Sequence, residues 1–222
     1  HEVSLYHVAD DIKEVMDKLK IEKAVIGGWS RGGMIATAFY DTYPQRVLGL
    51  ILEDGGSVSS NSYYHRLSDE ELRHKVEAMF KNKVSYPVFK SQFEAYQAFD
   101  QEADGLQHTL LAWITTDAQG NWTIGPGLEK LFHMSDRDQF LETILRPTNA
   151  TLFAQSMASI EPKVVFRNLT VPVLILDPTG ENDFFPFENE NRDLKRDHPD
   201  LIIYIEYKNT GHNIHFEKPI EF

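Results

Sequence analysis

The sequence contains no cysteine, and this absence excludes several kinds of chemistry at once. Without thiols the chain forms no disulfide, builds no Cys-zinc site and uses no thiolate nucleophile. No apolar run approaches the roughly 20 residues of a transmembrane helix. The first residues, His-Glu-Val-Ser-Leu-Tyr, lack the basic segment and apolar core of a secretory signal. We therefore favour the cytoplasm as the expected location.

Basic residues are scarce relative to acidic ones. The chain has 22 Lys and Arg against 34 Asp and Glu, a formal net charge of −12. This charge disfavours binding to nucleic-acid phosphates and to anionic membrane surfaces. It does not disfavour small neutral molecules, so we expect a small, apolar substrate as the partner, with neither nucleic acid nor membrane insertion. No pattern in the sequence predicts the oligomeric state.

Both ends of the chain show the alternation of helix and strand that is typical of an α/β domain with a mostly parallel sheet. Apolar residues at helical spacing follow Ser4, a candidate N-cap, and predict a first helix that ends near Lys20. The later elements predicted in these regions are the strand 24–26, the helix 32–43, the strands 47–52 and 173–176, the helix 187–198 and the strand 201–207.

The middle of the chain lacks this alternation. We predict a mainly helical cap over residues 57–167, inserted between two strands of a core formed by residues 1–56 and 168–222. Helical pieces are predicted at 69–81 and 87–100, the first preceded by a capping box of Ser68 and Glu71. Gln119-Gly120-Asn121 predicts a tight turn between two short extended pieces.

The most informative stretch is Gly28-Trp29-Ser30-Arg31-Gly32, which fits the pattern G-x-S-x-G. This pattern is typical of a nucleophile elbow, in which a serine occupies a tight turn between a strand and a helix. The predicted elements on either side of the stretch supply that context. We expect that a Cβ at either glycine would crowd the turn.

A serine hydroxyl becomes a strong nucleophile only when a base accepts its proton and an acid orients that base. Candidate partners follow Ser30 in the required order. Asp183 lies in the polar loop after one predicted strand, and His212 lies in the loop after the next. Catalytic groups collect at the carboxyl ends of parallel strands, so the three loops can converge.

These motifs resemble those of the serine-nucleophile α/β-hydrolase fold with a cap domain. The elbow matches, Gly180-Glu181-Asn182-Asp183 after Val171–Leu176 resembles the acid loop, and Gly211-His212 with Phe216-Glu217-Lys218-Pro219 resembles the histidine loop. We favour Asp183 as the acid because it occupies the Gly-x-x-Asp position. Asp177 is a rival because the loop is longer than usual, and Asp54 is a third option because some relatives place the acid there.

The resemblance implies further features of the site. The backbone N–H of Arg31 is expected to be one oxyanion donor, and the second would come from an early loop that lies ahead of the first helix here. We therefore expect a core that is incomplete at both ends. Neither metal nor organic cofactor is implied. Candidate pocket residues are Trp29, Trp113 and His215, and a metal site at His212, His215 and Glu217 is disfavoured because no second cluster accompanies it.

The expected activity is hydrolysis of an acyl bond through an acyl-enzyme on Ser30, in an ester, a lactone or a related compound. A serine at the elbow argues against the relatives that use an aspartate nucleophile. Two alternatives remain open: a non-catalytic ligand receptor or scaffold, and a cofactor-free haloperoxidase or perhydrolase activity on the same triad.

Overall fold

The computed structural model describes residues 2–81, 88–95, 114–124, 137–146, 151–179 and 186–222. The chain forms two compact units, one of residues 1–63, 150–214 and 222, and the other of residues 64–149 and 215–221. Residues 150–167, which the sequence analysis assigns to the cap, thus group with the unit that carries the larger sheet.

The described strands and helices follow the chain in a simple order. The strands are β1 (Ala24–Trp29), β2 (Val47–Glu53), β3 (Val88–Phe89), β4 (Ile114–Thr116), β5 (Trp122–Ile124), β6 (Val173–Thr179) and β7 (Ile202–Lys208). The helices are α1 (Leu5–Lys18), α2 (Arg31–Thr42), α3 (Ser60–Arg66), α4 (Asp69–Lys81), α5 (Arg137–Phe140), α6 (Leu152–Ser159), α7 (Pro162–Val165), α8 (Glu188–Asp197) and α9 (Ile214–Glu217). Single turns of 3₁₀ helix occupy Pro44–Arg46 and Phe166–Asn168, and a π-helical turn occupies Leu141–Leu145.

The first unit is built on a four-stranded sheet in the order β1-β2-β6-β7, with every pair parallel. This confirms the predicted α/β class. The order places the ends of β1 and β2 side by side, with β6 next to β2. Because the strands are parallel, their carboxyl ends lie along one edge of the sheet.

One face of this sheet carries the main core. The side chains of Leu50, Leu52 and Ile175 are buried there against Phe39 and Phe166. The opposite face exposes apolar side chains: Val25 is 54% exposed and Ile203 is 58% exposed, with Ile51 and Ile205 also exposed. The helices therefore stabilise the sheet mainly from one side.

The second unit contains α4 and a three-stranded antiparallel sheet in the order β3-β5-β4. The capping box before α4 is confirmed, since Ser68 N–H donates to Glu71 Oε2 over 2.8 Å and Glu71 N–H donates to Ser68 Oγ over 3.3 Å. The predicted turn is confirmed at Gly120, which has φ +81° between β4 and β5.

The predicted helix 87–100 is wrong at its start, because residues 88 and 89 form strand β3. Val88 and Phe89 pair with Thr123 and Trp122 of β5. β-Branched and aromatic side chains favour a strand when a partner strand is present, and that partner lies more than 30 residues away in the sequence. Residues 96–100 of the predicted helix lie outside the described residues.

Candidate active site

Ser30 lies in the turn between β1 and α2. Its backbone has φ 54° and ψ −120°, a region that non-glycine residues rarely adopt. The turn is held by the neighbouring strand, since Ser30 N–H donates to Glu53 O over 2.8 Å. Gly33 N–H in turn donates to Ser30 O over 3.0 Å. Such strain persists only where the surroundings hold it, and it is common at functional sites.

Close backbone packing around Ser30 depends on glycines. A Cβ on Gly28 would lie 2.1 Å from the carbonyl of Gly32, and a Cβ on Gly55 would lie 2.1 Å from the Ser30 carbonyl oxygen. Gly33 and Gly56 are equally confined, because a Cβ on Gly33 would overlap the backbone of Gly55 and a Cβ on Gly56 would overlap the backbone of Gly33. The expectation for Gly32 was wrong, because a Cβ there meets nothing within 4 Å. The carbonyl of Gly32 therefore takes part in the close approach to Gly28, but the position of its own Cβ is open.

His212 pairs with Asp54. Nδ1 of His212 forms a hydrogen bond with Oδ2 of Asp54, and the Asp54 side chain is only 3% exposed. Asp54 directly follows β2, and its own backbone has φ 42°. Burial raises the pKa of Asp54 above its ordinary value, whereas the hydrogen bond and the charge of His212 act to lower it. The imidazole thus has an orienting carboxylate on its Nδ1 side.

Trp29, the residue before Ser30, also holds the histidine loop. Its indole Nε1–H donates to the backbone carbonyl of His212 over 2.7 Å. The two rings lie with their centroids 5.0 Å apart. These contacts place the His212 loop against the elbow. The sequence makes Trp29 a candidate pocket residue or a packing residue, and it does not predict the contact of Trp29 with the histidine loop.

Arg31 begins α2 directly after Ser30. The first N–H groups of a helix point out of its N-terminus, where the helix dipole favours negative charge. The Arg31 guanidinium lies over the ring of Phe153, with Cζ 5.6 Å from the centroid. Its backbone N–H lies in the first turn of α2, next to Ser30.

Asp177, a rival for the triad acid, is engaged elsewhere. Its Oδ2 accepts hydrogen bonds from Tyr204 OH over 2.6 Å and from Asn191 Nδ2 over 3.0 Å. The side chain is almost fully buried. Burial raises the pKa of Asp177 to about 7, although the two hydrogen bonds act to lower it; the charges of Asp54 and Glu188 raise it further.

This raised pKa makes Asp177 a destabilising group at high pH. Its pKa is about 7 in the folded protein and about 3.9 in an unfolded chain, so between these values the folded state binds more protons. The stability of the protein therefore falls as pH rises from about 4 to 7, by about 2–4 kcal/mol from this residue. We expect Asp177→Asn to remove this component in urea unfolding curves measured across that range. A slope unchanged by the substitution would contradict it.

The remaining predicted site residues are less informative. Asp183 and Trp113 lie outside the described residues, and both stay predictions. His215 lies in α9 and is half-buried. Across the described ranges, no three or more His, Asp or Glu side chains form a group that could hold a metal ion.

The sequence around Asp54 gives a weak indication that this residue lies near Ser30. Glu53-Asp54-Gly55-Gly56 places an acid and two glycines directly after a buried strand, as Ser30 follows another. Two glycines at a strand end indicate close backbone packing. The pairing of β2 with β1 then decides that this packing is against the serine turn.

The match of the chain to a family model agrees with this geometry. Residues 1–219 match the model of the alpha/beta hydrolase fold. The chain belongs to the α/β-hydrolase-fold family.

Individual relatives are more distant. The chain is 34% identical over 90 residues to a putative 2-succinyl-6-hydroxy-2,4-cyclohexadiene-1-carboxylate synthase of Bacillus subtilis (strain 168); the match covers 37% of this chain and only 33% of that protein. Among solved structures, E-2-(acetamidomethylene)succinate hydrolase is similar with a TM-score of 0.56 and 15% identity, over 97% of this chain and 69% of that one. A marine microorganism esterase is similar with a TM-score of 0.53 and 20% identity, over 98% and 74% of the two chains. At these identities the structures show the fold alone.

Within the described parts of the chain, no helix combines the length and the hydropathy needed to cross a bilayer.

Proposed function

We propose that the protein is a serine hydrolase that cleaves an acyl bond through a triad of Ser30, His212 and Asp54. The observation that carries the proposal is the hydrogen bond between His212 and the buried Asp54, beside the strained turn that presents Ser30. A serine, an imidazole and a carboxylate in this relation are the groups that nucleophilic acyl transfer requires. The family membership supports the same class of activity.

In the proposed reaction, the Ser30 hydroxyl oxygen attacks the acyl carbonyl carbon as Nε2 of His212 accepts the hydroxyl proton. The negative charge that develops on the carbonyl oxygen is stabilised by the backbone N–H of Arg31. His212 then gives the proton to the departing alkoxide, which leaves as an alcohol. Water attacks the acyl-enzyme with His212 again as base, and the carboxylic acid and free Ser30 are released.

Asp54 would keep His212 in the required tautomer and stabilise the imidazolium that forms twice in each cycle. The contact from Trp29 Nε1 to the backbone carbonyl of His212 would hold the same loop from the other side. The contact with Asp54 restricts the imidazole, and the contact with Trp29 restricts the backbone that carries it. These restrictions support a catalytic rather than a purely packing role for His212.

The proposal is tested by reaction with a fluorophosphonate, which forms a covalent adduct with activated serines. We expect one adduct per chain, located by peptide mass spectrometry on Ser30, together with turnover of a p-nitrophenyl ester. Ser30→Ala should abolish both. Ser159→Ala is the matched control, because Ser159 is an exposed helical serine of the same unit whose Oγ bonds to Gln155 O.

An adduct on any other serine, or ester turnover that survives Ser30→Ala, would contradict the proposal. A folded wild-type protein with neither adduct nor turnover would favour the alternative hypothesis that the protein is a non-catalytic ligand receptor or scaffold.

A further inference from the structure

Two buried carboxylates lie next to each other on neighbouring strand segments of the parallel sheet, Asp54 directly after β2 and Asp177 within β6. Glu53 pairs with Leu176 across β2 and β6, so the next residue on each strand is an aspartate, Asp54 and Asp177. Asp54 N–H donates to Leu176 O over 2.9 Å, which continues the ladder by one bond. Neighbouring strands lie about 4.8 Å apart, so the backbones of the two acids are close.

Their surroundings give the two acids different tasks. Asp54 pairs with His212, whereas Asp177 faces the helix-covered side of the sheet, between Tyr204 of β7 and Asn191 of α8. Like charges in a buried site repel each other, and the charge of Asp54 raises the pKa of Asp177. The protonation state of one acid therefore affects the other.

We propose that Asp177 is a positioning residue of the catalytic site, which acts through Asp54 on the protonation of His212. This inference rests on the proposed function, because it requires His212 to be the base of the reaction. When Asp177 is uncharged, His212 faces the charge of Asp54 without a second carboxylate charge on β6. When Asp177 ionises, the added negative charge favours the imidazolium and makes His212 a less available base.

Other charged groups near this pair are also known from the structure. Glu188 of α8 acts on Asp177, and Glu53 of β2 acts on Asp54. On β7, Glu206 is paired with Arg192 over 2.6 Å, and both act on Tyr204. Asp177 is buried, and its pKa is raised to about 7. Its ionisation therefore falls in the range in which a histidine base also titrates.

The test is the pH dependence of the fluorophosphonate labelling rate of Ser30. In the wild type this rate should rise with pH, as is expected of a reaction that needs an unprotonated general base. In Asp177→Asn, which keeps an oxygen for Tyr204 and Asn191, the rising limb should move to lower pH by about 0.5–1 unit, because the extra negative charge is removed. The rate on the plateau should change little, since Asp177 does not take part in the attack.

A second variant changes the ionisation of Asp177 through a residue of the neighbouring strand β7. Tyr204→Phe removes a donor that stabilises ionised Asp177, so Asp177 stays uncharged to higher pH and the limb should again move to lower pH. Tyr40→Phe is the matched control: Tyr40 OH accepts a hydrogen bond from Thr170 N–H over 3.1 Å, apart from the two acids, and the limb should not move.

A rising limb that coincides with the wild type in Asp177→Asn, or that moves to higher pH, would overturn the inference while leaving the proposed function intact. If Asp177→Asn does not fold, the result for Tyr204→Phe decides in the same way. A wild-type protein whose Ser30 takes no label would instead overturn the proposed function itself.

Discussion

Asp54→Asn is expected to lower the labelling rate of Ser30 and the turnover of a p-nitrophenyl ester by about 10³–10⁴-fold. The amide that replaces the carboxylate carries no charge to stabilise the Nδ1–H of His212. Its NH₂ group instead favours the histidine tautomer in which Nε2 carries the proton. His212 is then unable to accept the proton of Ser30. The measurement is the second-order labelling rate at pH 8, alongside steady-state kinetics with the ester.

Two matched variants make this result specific for Asp54. Asp183→Asn changes the acid at the Gly-x-x-Asp position, and Asp177→Asn changes a buried acid within the neighbouring strand β6. We expect both to keep plateau rates within about tenfold of the wild type, because neither replaces the partner of His212. A loss of 10³-fold in Asp183→Asn with little change in Asp54→Asn would return the triad to the sequence-based assignment.

Gly28→Ala is expected to destabilise the protein by about 4 kcal/mol or more. The new Cβ would lie 2.1 Å from Gly32 C and O and 2.5 Å from Gly33 N. These are backbone atoms of the elbow, so no side-chain rotation relieves the overlap. Relief requires that the turn opens, which also displaces Ser30. Thermal unfolding followed by circular dichroism should show a midpoint lowered by about 8–16 °C for a chain of this size.

Gly32→Ala is the control for Gly28→Ala. It adds the same methyl group to the same motif, at a position where the Cβ meets nothing within 4 Å. Gly32 lies within α2, where alanine is favoured over glycine by up to about 1 kcal/mol. We expect an unchanged or slightly raised midpoint and a normal labelling rate at Ser30. A similar loss of stability in both variants would contradict the close-packing explanation.

The pair of glycine variants also separates two meanings of the G-x-S-x-G pattern. The first glycine is required by a backbone contact between the end of β1 and the start of α2. The second glycine, Gly32, meets no neighbour that excludes a side chain, so glycine is not required at that position. The glycines that do share the requirement are Gly33, Gly55 and Gly56, and two of these belong to a different loop.

The sequence by itself predicted the class of the fold, which the structure confirms, and the turn that carries the proposed nucleophile Ser30. Local patterns were sufficient for α1, for the parallel strands β2, β6 and β7, and for the turn at Ser30, because helix periodicity, continuous apolar runs and glycine spacing depend on neighbours within a few residues. The position of His212 in the loop after the last strand was determined in the same way.

The tertiary structure decided what depends on residues far apart in the chain. Asp54 and His212 are separated by 158 residues, and their contact follows from the strand order, in which β6 lies between β2 and β7, which no local pattern encodes. The strand at Val88–Phe89 and the crowding of Gly55 by Ser30 have the same origin, because each depends on how the chain folds back on itself. Order along the chain predicts which groups can meet, and the packing of strands and backbone decides which of them do.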